Sequence, residues 1–305
     1  RRWACHWRDE IMLNHQYNMP TKPARVVIIG SAGFVAAAAE RRIVAMGVPL
    51  LALPRTELNL TTEDAGARLA GLLRPDDALL FVAAKVPVKN DEMLIENLRM
   101  GKAVCEALCR TSVNHLVYIS SDAVYADSNE PLTECSCAQP NSLHGVMHLA
   151  REVMIANAYK GPLCLLRPTL IYGADDPHNG YGPNRFLKSA AAGEDIVLFG
   201  EGEERRDHVW VEDVAEIVSR VLFHRSTGIL NIATGNVVPF REIAEQVVQM
   251  FSRPAQIKGS PRVGLMPHNG YRPFDVAATY EAFADFCYTA LRDGLLKVSM
   301  GALNQ

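Results

Sequence analysis

The 305-residue sequence lacks the features that mark membrane, secreted and nucleic-acid-binding proteins. Its longest apolar runs, such as Ala78–Ala84, have the length of a strand and fall far short of the roughly 20 residues that a membrane-spanning helix needs. The formal net charge of -3 gives no reason to expect nucleic acid or an anionic membrane surface as a partner. The seven cysteines show no framework spacing, which fits reduced thiols in a cytoplasmic protein better than a secreted disulfide scaffold.

The first 24 residues also lack periodicity, because their tryptophans and histidines follow neither a helical nor an alternating pattern. No continuous apolar run follows the charged residues at the start, as it would in a signal peptide. We therefore predict that residues 1–24 form a disordered or non-native extension that takes no part in function.

From Arg25 onward, short apolar runs alternate with segments of helical length. This pattern predicts an α/β fold, a Rossmann-type doubly wound parallel sheet with helices on both faces. Nearly continuous apolar runs are typical of strands that are buried on both sides. Strands are predicted at Arg25–Ile29, Val48–Leu53, Ala78–Val82, His115–Ser120 and Leu163–Arg167. Helices are predicted at Val35–Met46, Glu63–Leu73, Glu92–Arg110 and Ser142–Tyr159.

The composition changes after Tyr172, where a loop rich in glycine, proline and aspartate extends to Pro183. Beyond that loop the alternation of strands and helices breaks into smaller pieces. We therefore predict a dinucleotide-binding domain over residues 25–172. Residues 173–305 are predicted to form mostly a smaller C-terminal substrate-binding lobe, with returns to the sheet domain.

A glycine-rich turn, Gly30-Ser31-Ala32-Gly33-Phe34, directly follows the first predicted strand and opens the first predicted helix. A backbone that approaches a pyrophosphate closely needs residues without side chains, and the helix N-terminus adds N–H donors and partial positive charge. We expect Gly30, Ser31, Gly33 and Phe34 to bind a dinucleotide. The alternative is an ordinary tight turn.

The end of the second predicted strand indicates which dinucleotide binds. An acidic residue there accepts hydrogen bonds from the ribose 2′-OH of NAD, whereas an arginine suits the 2′-phosphate of NADP. This chain has Arg55 at that place and no acidic residue before Glu57. NADP is therefore predicted in preference to NAD, unless Arg55 is simply a solvated loop residue.

Several ordered motifs resemble the extended short-chain dehydrogenase/reductase family, the NAD-dependent epimerases and dehydratases that modify sugar nucleotides. The segments Arg55–Leu60 and Ala83–Val86 are most similar to the GDP-fucose synthase branch and, less closely, to the dTDP-dehydrorhamnose reductase branch. All the matching segments are Gly30–Ala36, Arg55–Leu60, Ala83–Val86, Ser120–Tyr125, Leu166–Gly173 and Gly200–Ala215.

This resemblance implies an NAD(P)-dependent epimerase or reductase that acts on a nucleoside diphosphate-sugar. Arg206 matches the arginine that binds the sugar-nucleotide diphosphate, which its charged, forked guanidinium suits, unless it forms a surface ion pair. Asn184 and Arg272 match positions that often touch the same ligand, although Asn184 could instead cap a helix. The positions beside the cofactor match Ala83, Ala84 and Pro168.

The catalytic pair departs from the family pattern. Where the family carries Tyr-x-x-x-Lys, this sequence has His144 and His148, while the serine is retained as Ser121. An imidazole can exchange protons near neutral pH, but it is shorter than a phenol and lacks the lysine's fixed charge. The predicted catalytic residues are Ser121, His144 and His148.

Other interpretations of the pair stay open at the level of sequence. One is a catalytically impaired protein that binds dinucleotide and sugar nucleotide, or that uses another group such as Asp122. Two histidines one helical turn apart could chelate zinc together with Cys135 or Cys137, although no metal is predicted. The histidines could also be purely structural.

The resemblance also implies the oligomeric state of the chain and its binding partners. Family members are often dimers through a helix pair, which here matches Glu92–Arg110 and Ser142–Tyr159. The expected partners are a second copy of the chain and a small-molecule nucleotide-sugar, with neither nucleic acid nor membrane.

Overall fold

The computed structural model describes residues 12–174, 176–177, 179–252 and 254–303. The strands of its central sheet are β1 (Arg25–Ile29), β2 (Leu50–Leu53), β3 (Asp77–Phe81), β4 (His115–Ile119), β5 (Leu163–Pro168) and β9 (Gly228–Ile232). They run parallel in the order β2-β1-β3-β4-β5-β9. The predicted doubly wound α/β fold is therefore confirmed.

Helices cover both faces of the sheet, because its strands are apolar on both sides. In β1, Val26 faces a core shared with Ile43 and Val218, whereas Val27 faces a second core shared with Val104 and Ile155. Among the residues described, no helix combines the length and apolarity needed to cross a membrane. The helices are α1 (Phe34–Ala45), α2 (Ala65–Leu72), α3 (Asp91–Arg110), α4 (Leu143–Ala158), α5 (Pro183–Ala192), α6 (Val211–His224), α7 (Phe240–Val248), α8 (Ala277–Ala282) and α9 (Leu291–Leu303).

The five predicted strands and four predicted helices before residue 173 are all present, with ends that differ by at most two residues. The largest strand difference is in β2, which begins at Leu50 rather than Val48. Pro49 lies between these positions and has no N–H to donate to a neighbouring strand.

After β5 the chain contributes strands to two smaller sheets, returns to the central sheet through α6 and β9, and then completes the smaller sheets. Their strands are β6 (Leu170–Tyr172), β7 (Ile196–Phe199), β8 (Arg205–Trp210), β10 (Val237–Pro239), β11 (Ile257–Ser260) and β12 (Tyr271–Arg272). Strand β8 pairs with β6, β10 and β12, and β7 pairs with β11. A separate core that includes Phe186, Leu198 and Phe240 holds these sheets against α5, α7 and α9. The assignment of this region to substrate binding stays a prediction.

Residues 12–24 differ from the predicted disordered extension, because they pack along the β9 edge of the central sheet. Met12 and Asn14 form bridges with Ile229 and Thr227. His15 lies 2.8 Å from the hydroxyl of Ser226 and 2.9 Å from a backbone carbonyl. These are hydrogen bonds of the backbone and of single side chains, which leave no periodic pattern in a sequence. Residues 1–11 lie outside the described part of the chain.

Candidate active site

A cleft of about 880 Å³ opens at the carboxyl ends of the central strands. In the strand order, β2 lies on one side of β1 and β3 lies on the other. The cleft lies near this change in direction of the strand order, which is where open parallel sheets bind ligands. The predicted site residues that line it are Gly30, Gly33, Phe34, Arg55, Ala83, Ala84, Ser121, His144, His148, Pro168 and Arg206. Those that do not line it are Ser31, which is buried, Asn184 and Arg272.

The turn after β1 passes so close to the segment that follows β3 that only glycine fits. Gly30 has a φ of 87°, and a Cβ on it would lie 2.6 Å from the Cα of Ala83. Gly33 is the N-cap of α1, so the first turn of that helix, whose N–H groups have no helical acceptors, borders the cleft. This geometry can hold an anionic pyrophosphate group.

Arg55 and Lys85 lie beyond the ends of β2 and β3 and share one carboxylate. Glu96 on α3 is 3.5 Å from the Arg55 guanidinium and 2.5 Å from the Lys85 ammonium. The Arg55 side chain is 66% exposed, so solvent screens its ion pair. Both cations line the cleft, where they can receive a further anionic group.

Gly145 lies where the helix that carries His144 packs against the turn that carries Ser121. Ser121 caps the short 3₁₀ turn after β4, with its hydroxyl 3.1 Å from the backbone nitrogen of Ala123. His144 lies in the first turn of α4, which Ser142 caps. A Cβ on Gly145 would lie only 2.0 Å from the carbonyl oxygen of Ala123. Glycine therefore allows α4 to lie directly against the serine turn.

Both histidines favour the neutral form. Burial lowers the pKa of His144, against the opposing attraction of the Asp122 carboxylate. Burial lowers the pKa of His148 well below its usual value, and His144 and Arg151 lower it further. His144 Nδ1 is buried without a hydrogen-bond partner among the described residues. A neutral imidazole at the cleft can accept a proton, so His144 suits a general base better than a general acid at neutral pH.

His148 is held by a residue that the sequence reasoning missed. The hydroxyl of Tyr118 lies 2.9 Å from His148 Nδ1, and the rings of His144 and His148 meet edge to face with centroids 4.8 Å apart. The available signal was a tyrosine between apolar residues of the strand that ends at the serine turn. Within the described ranges, no group of three or more histidine, cysteine or acidic side chains could hold a metal ion.

The carboxylate of Asp122 interacts with arginine side chains and is not a free acid. Burial acts to raise its pKa, but the nearby guanidinium groups of Arg272 and Arg206 outweigh it and lower the pKa below its usual value. Arg272 donates to the Asp122 carboxylate at 2.9 Å and to its backbone carbonyl at 2.6 Å. Asp122 is therefore better placed to hold these arginines than to transfer protons.

The two arginines predicted to bind the diphosphate differ in whether their guanidinium N–H groups remain unpaired. Arg272 is fully buried and uses all three nitrogens on acceptors that include Asp122 and Asp127. Arg206 lines the cleft and lies 3.3 Å from Glu204, while its distance of 3.9 Å to Asp122 is too long for a hydrogen bond. Arg206 thus keeps N–H donors for a ligand, whereas Arg272 positions Asp122.

Asn184 holds a loop instead of lining the cleft. It lies in the first turn of α5, accepts a hydrogen bond from the Gly173 N–H at 3.0 Å and donates to Asp176 at 2.7 Å. Gly182 is the N-cap of that helix, so Asn184 is not its cap. Asp176 does line the cleft, which makes Asn184 a support for the cleft wall.

Comparisons with known proteins agree with this geometry. A model of the NAD dependent epimerase/dehydratase family matches residues 26–233, more than half of the chain. The UDP-glucose 4-epimerase of Thermotoga maritima, solved with UDP-glucose, is similar in structure, with a TM-score of 0.82 and 18% identity over 92% of this chain and 99% of that one.

Two further solved structures are similar over nearly their whole length. The UDP-glucose 4-epimerase of Thermus thermophilus, in complex with NAD, has a TM-score of 0.80 and 22% identity over 90% of this chain and 98% of that one. The UDP-N-acetylglucosamine 4-epimerase of Bacillus cereus has a TM-score of 0.76 and 20% identity over 92% and 97%. At these identities the likeness establishes the fold.

Proposed function

Because the chain belongs to the NAD dependent epimerase/dehydratase family, we propose that it acts as an NAD(P)-dependent epimerase or reductase on a nucleoside diphosphate-sugar. The observation that carries this proposal is one cleft lined by the glycine turn, Ser121, His144 and Arg206. The glycine turn would hold the dinucleotide, and Arg206 the diphosphate of the sugar nucleotide. The reacting sugar would then lie between the cofactor and the pair formed by Ser121 and His144.

His144 is the proposed acid/base. The neutral ring would remove a proton from a sugar hydroxyl and later return it to the oxygen of the keto sugar. A bound dinucleotide would supply the hydride acceptor and donor for this exchange. Ser121 is the proposed hydrogen-bond donor to the reacting oxygen.

The test is conversion of a panel of UDP-, GDP- and dTDP-sugars with oxidised or reduced dinucleotide, followed by NMR of the sugar protons. Conversion of at least one sugar in wild type, abolished when the dinucleotide is removed, supports the proposal. Binding of both ligands without conversion supports instead the impaired protein of the same fold.

We propose NADP as the preferred dinucleotide. The family description names NAD, and the Thermus thermophilus relative was solved with NAD. In this chain, however, no acidic residue ends β2 to accept hydrogen bonds from a ribose 2′-OH, and Arg55 and Lys85 border the cleft. Both cations can move from Glu96 to a 2′-phosphate without breaking a buried contact.

Replacing Arg55 with alanine is expected to weaken NADPH binding by about tenfold, since a screened charge-assisted contact contributes about 1.5 kcal/mol. NADH binding should stay nearly unchanged. The control is Glu96→Gln, which removes the competing carboxylate and should tighten NADPH binding. Calorimetry on wild type and the two variants measures these affinities. Equal affinities of wild type for NADPH and NADH would exclude the proposal.

We propose that the protein is a homodimer through α3 and α4. These helices pack side by side on one face of the sheet and expose apolar side chains at Ile95, Leu143, Val146 and Val153. On α4 these residues recur at helical spacing, so they form one apolar stripe.

Replacing Val153 with glutamate is expected to convert a dimer of the 33.6 kDa chain into a monomer, because it places a charge in the proposed interface. The matched control is Val44→Glu, at a similarly exposed valine on α1 at the opposite face of the sheet. Light scattering after size exclusion measures the mass. A wild-type monomer, or equal masses of both variants, would rule out this interface.

A further inference from the structure

His148 stands where the family carries a lysine, and it differs from that lysine in charge and in surroundings. Tyr118 on β4 is almost fully buried, and its hydroxyl is 2.9 Å from His148 Nδ1. Among the described residues, His148 Nδ1 is the one hydrogen-bond acceptor in reach of the Tyr118 hydroxyl. The two groups therefore form a buried pair whose free end is His148 Nε2, on a ring that lines the cleft.

A buried cation lies behind this pair. Arg151, three residues after His148 on α4, is fully buried and donates to the carbonyl of Asn97 at 2.7 and 2.9 Å and to that of Ala83 at 2.9 Å. Among the described residues it pairs with no carboxylate, since its acceptors are the carbonyls of Asn97 and Ala83 and the amide oxygen of Asn97. Gly101 on α3 provides the room, because a Cβ there would lie 3.2 Å from Arg151 Cγ. The chain thus carries a fixed positive charge one helical turn below the cleft.

This charge determines which group donates the hydrogen. Burial raises the pKa of Tyr118 to about 12, although Arg151 opposes the rise, so the phenol keeps its proton. If His148 Nδ1 were the donor, the Tyr118 hydrogen would have no acceptor in the described structure. The Arg151 charge beside the phenol oxygen further favours a hydroxyl whose hydrogen points away, toward His148.

We propose that Tyr118 and Arg151 are positioning residues that fix His148 as its neutral Nε2–H tautomer, so that position 148 offers a ligand in the cleft an uncharged hydrogen-bond donor. This inference rests on the proposed function for the identity of the ligand only. The permanent charge that lysine carries at this position in the family is supplied here by Arg151, from beneath the cleft floor.

The groups that face His148 all favour its neutral form. His144 and Arg151 approach it on α4, and Tyr118 approaches it from β4. The nearest buried carboxylate on α4, Glu152, is bound by Arg167 at 2.6 Å and offers no counter-charge. Protonation of His148 would therefore place a second cation beside Arg151 with no carboxylate to balance it.

Two-dimensional ¹H–¹⁵N correlation of the imidazoles in the full chain tests this without any turnover. The expected spectrum shows His148 as a single Nε2–H tautomer that does not titrate across about pH 5.5–7.5, where a free imidazole titrates. In Tyr118→Phe the fixed tautomer should be lost. An Nδ1–H tautomer in wild type, or titration of His148 near its usual pKa, would overturn the proposal even if the variant failed to fold.

Ligand binding provides the second readout. Tyr118→Phe should weaken binding of the whole dinucleotide several-fold, since a neutral hydrogen bond contributes about 1 kcal/mol. The control is Tyr159→Phe, which removes a buried hydroxyl that is bonded only to the Val113 carbonyl. Equal effects of the two variants would overturn the positioning role. Absence of turnover in wild type would contradict the proposed function alone.

Discussion

Replacing His144 with alanine is expected to lower turnover of the sugar nucleotide by roughly 10²–10⁴-fold, equivalent to about 3–5 kcal/mol of transition-state stabilisation. The side chain lines the cleft in the first turn of α4, and its pKa is lowered by burial. Binding of dinucleotide and sugar nucleotide should change little, because neither ligand is proposed to depend on this ring in the ground state. Steady-state kinetics and calorimetry on the same preparations measure both quantities.

The pH dependence of turnover by the wild-type protein is expected to reflect the protonation of the same ring. Because the pKa of His144 is lowered, the base stays available through neutral pH, and turnover should fall only as the pH drops below the usual imidazole range. This acid limb should vanish in His144→Ala. The control is Lys160→Ala, a change at an exposed residue just beyond the end of α4 and outside the cleft. Unchanged turnover in His144→Ala would show that the His144 ring has no role in catalysis.

Replacing Arg206 with alanine is expected to weaken sugar-nucleotide binding by about 100-fold or more, because two charge-assisted hydrogen bonds to phosphate contribute about 1.5–3 kcal/mol each. Dinucleotide affinity should stay the same. Thermal stability should also change little, since Asp122 keeps its close pair with Arg272 and Glu204 keeps Arg262 at 3.7 Å.

Arg205→Ala is the matched control for this prediction. Arg205 is the preceding residue of β8, is exposed and lies over the ring of Tyr271 outside the cleft. Its loss should leave ligand affinity intact. A destabilised Arg206→Ala protein with normal sugar-nucleotide affinity would identify Arg206 as a structural ion-pair partner and contradict the proposed diphosphate site.

Much of the fold could be predicted because its strands are buried on both faces. Segments such as Val26–Ile29 and Leu79–Phe81 are apolar without interruption, so they stand out in the sequence. The same reasoning misjudged residues 12–24, which are held by bridges and by His15 at one sheet edge. Contacts of that kind depend on tertiary structure and carry no local pattern.

The site was predictable where the chemistry depends on neighbours in sequence. The turn at Gly30 and the serine turn at Ser121 each follow a strand directly, and both border the cleft. The roles of Arg151 and Arg272 were not predictable, because their burial is set by residues far away in the chain. An arginine on a helix normally extends into solvent, whereas Arg151 points inward beside Gly101, whose missing Cβ leaves room for its side chain.

The measurement that tests the central claim most directly is NMR of a nucleoside diphosphate-sugar panel incubated with the wild-type protein and dinucleotide. We predict that at least one sugar is converted, either to its epimer or to a reduced product, and that conversion stops when dinucleotide is omitted. If every sugar nucleotide that binds is recovered unchanged while the dinucleotide also stays bound, the claim that this cleft is an active site would be contradicted.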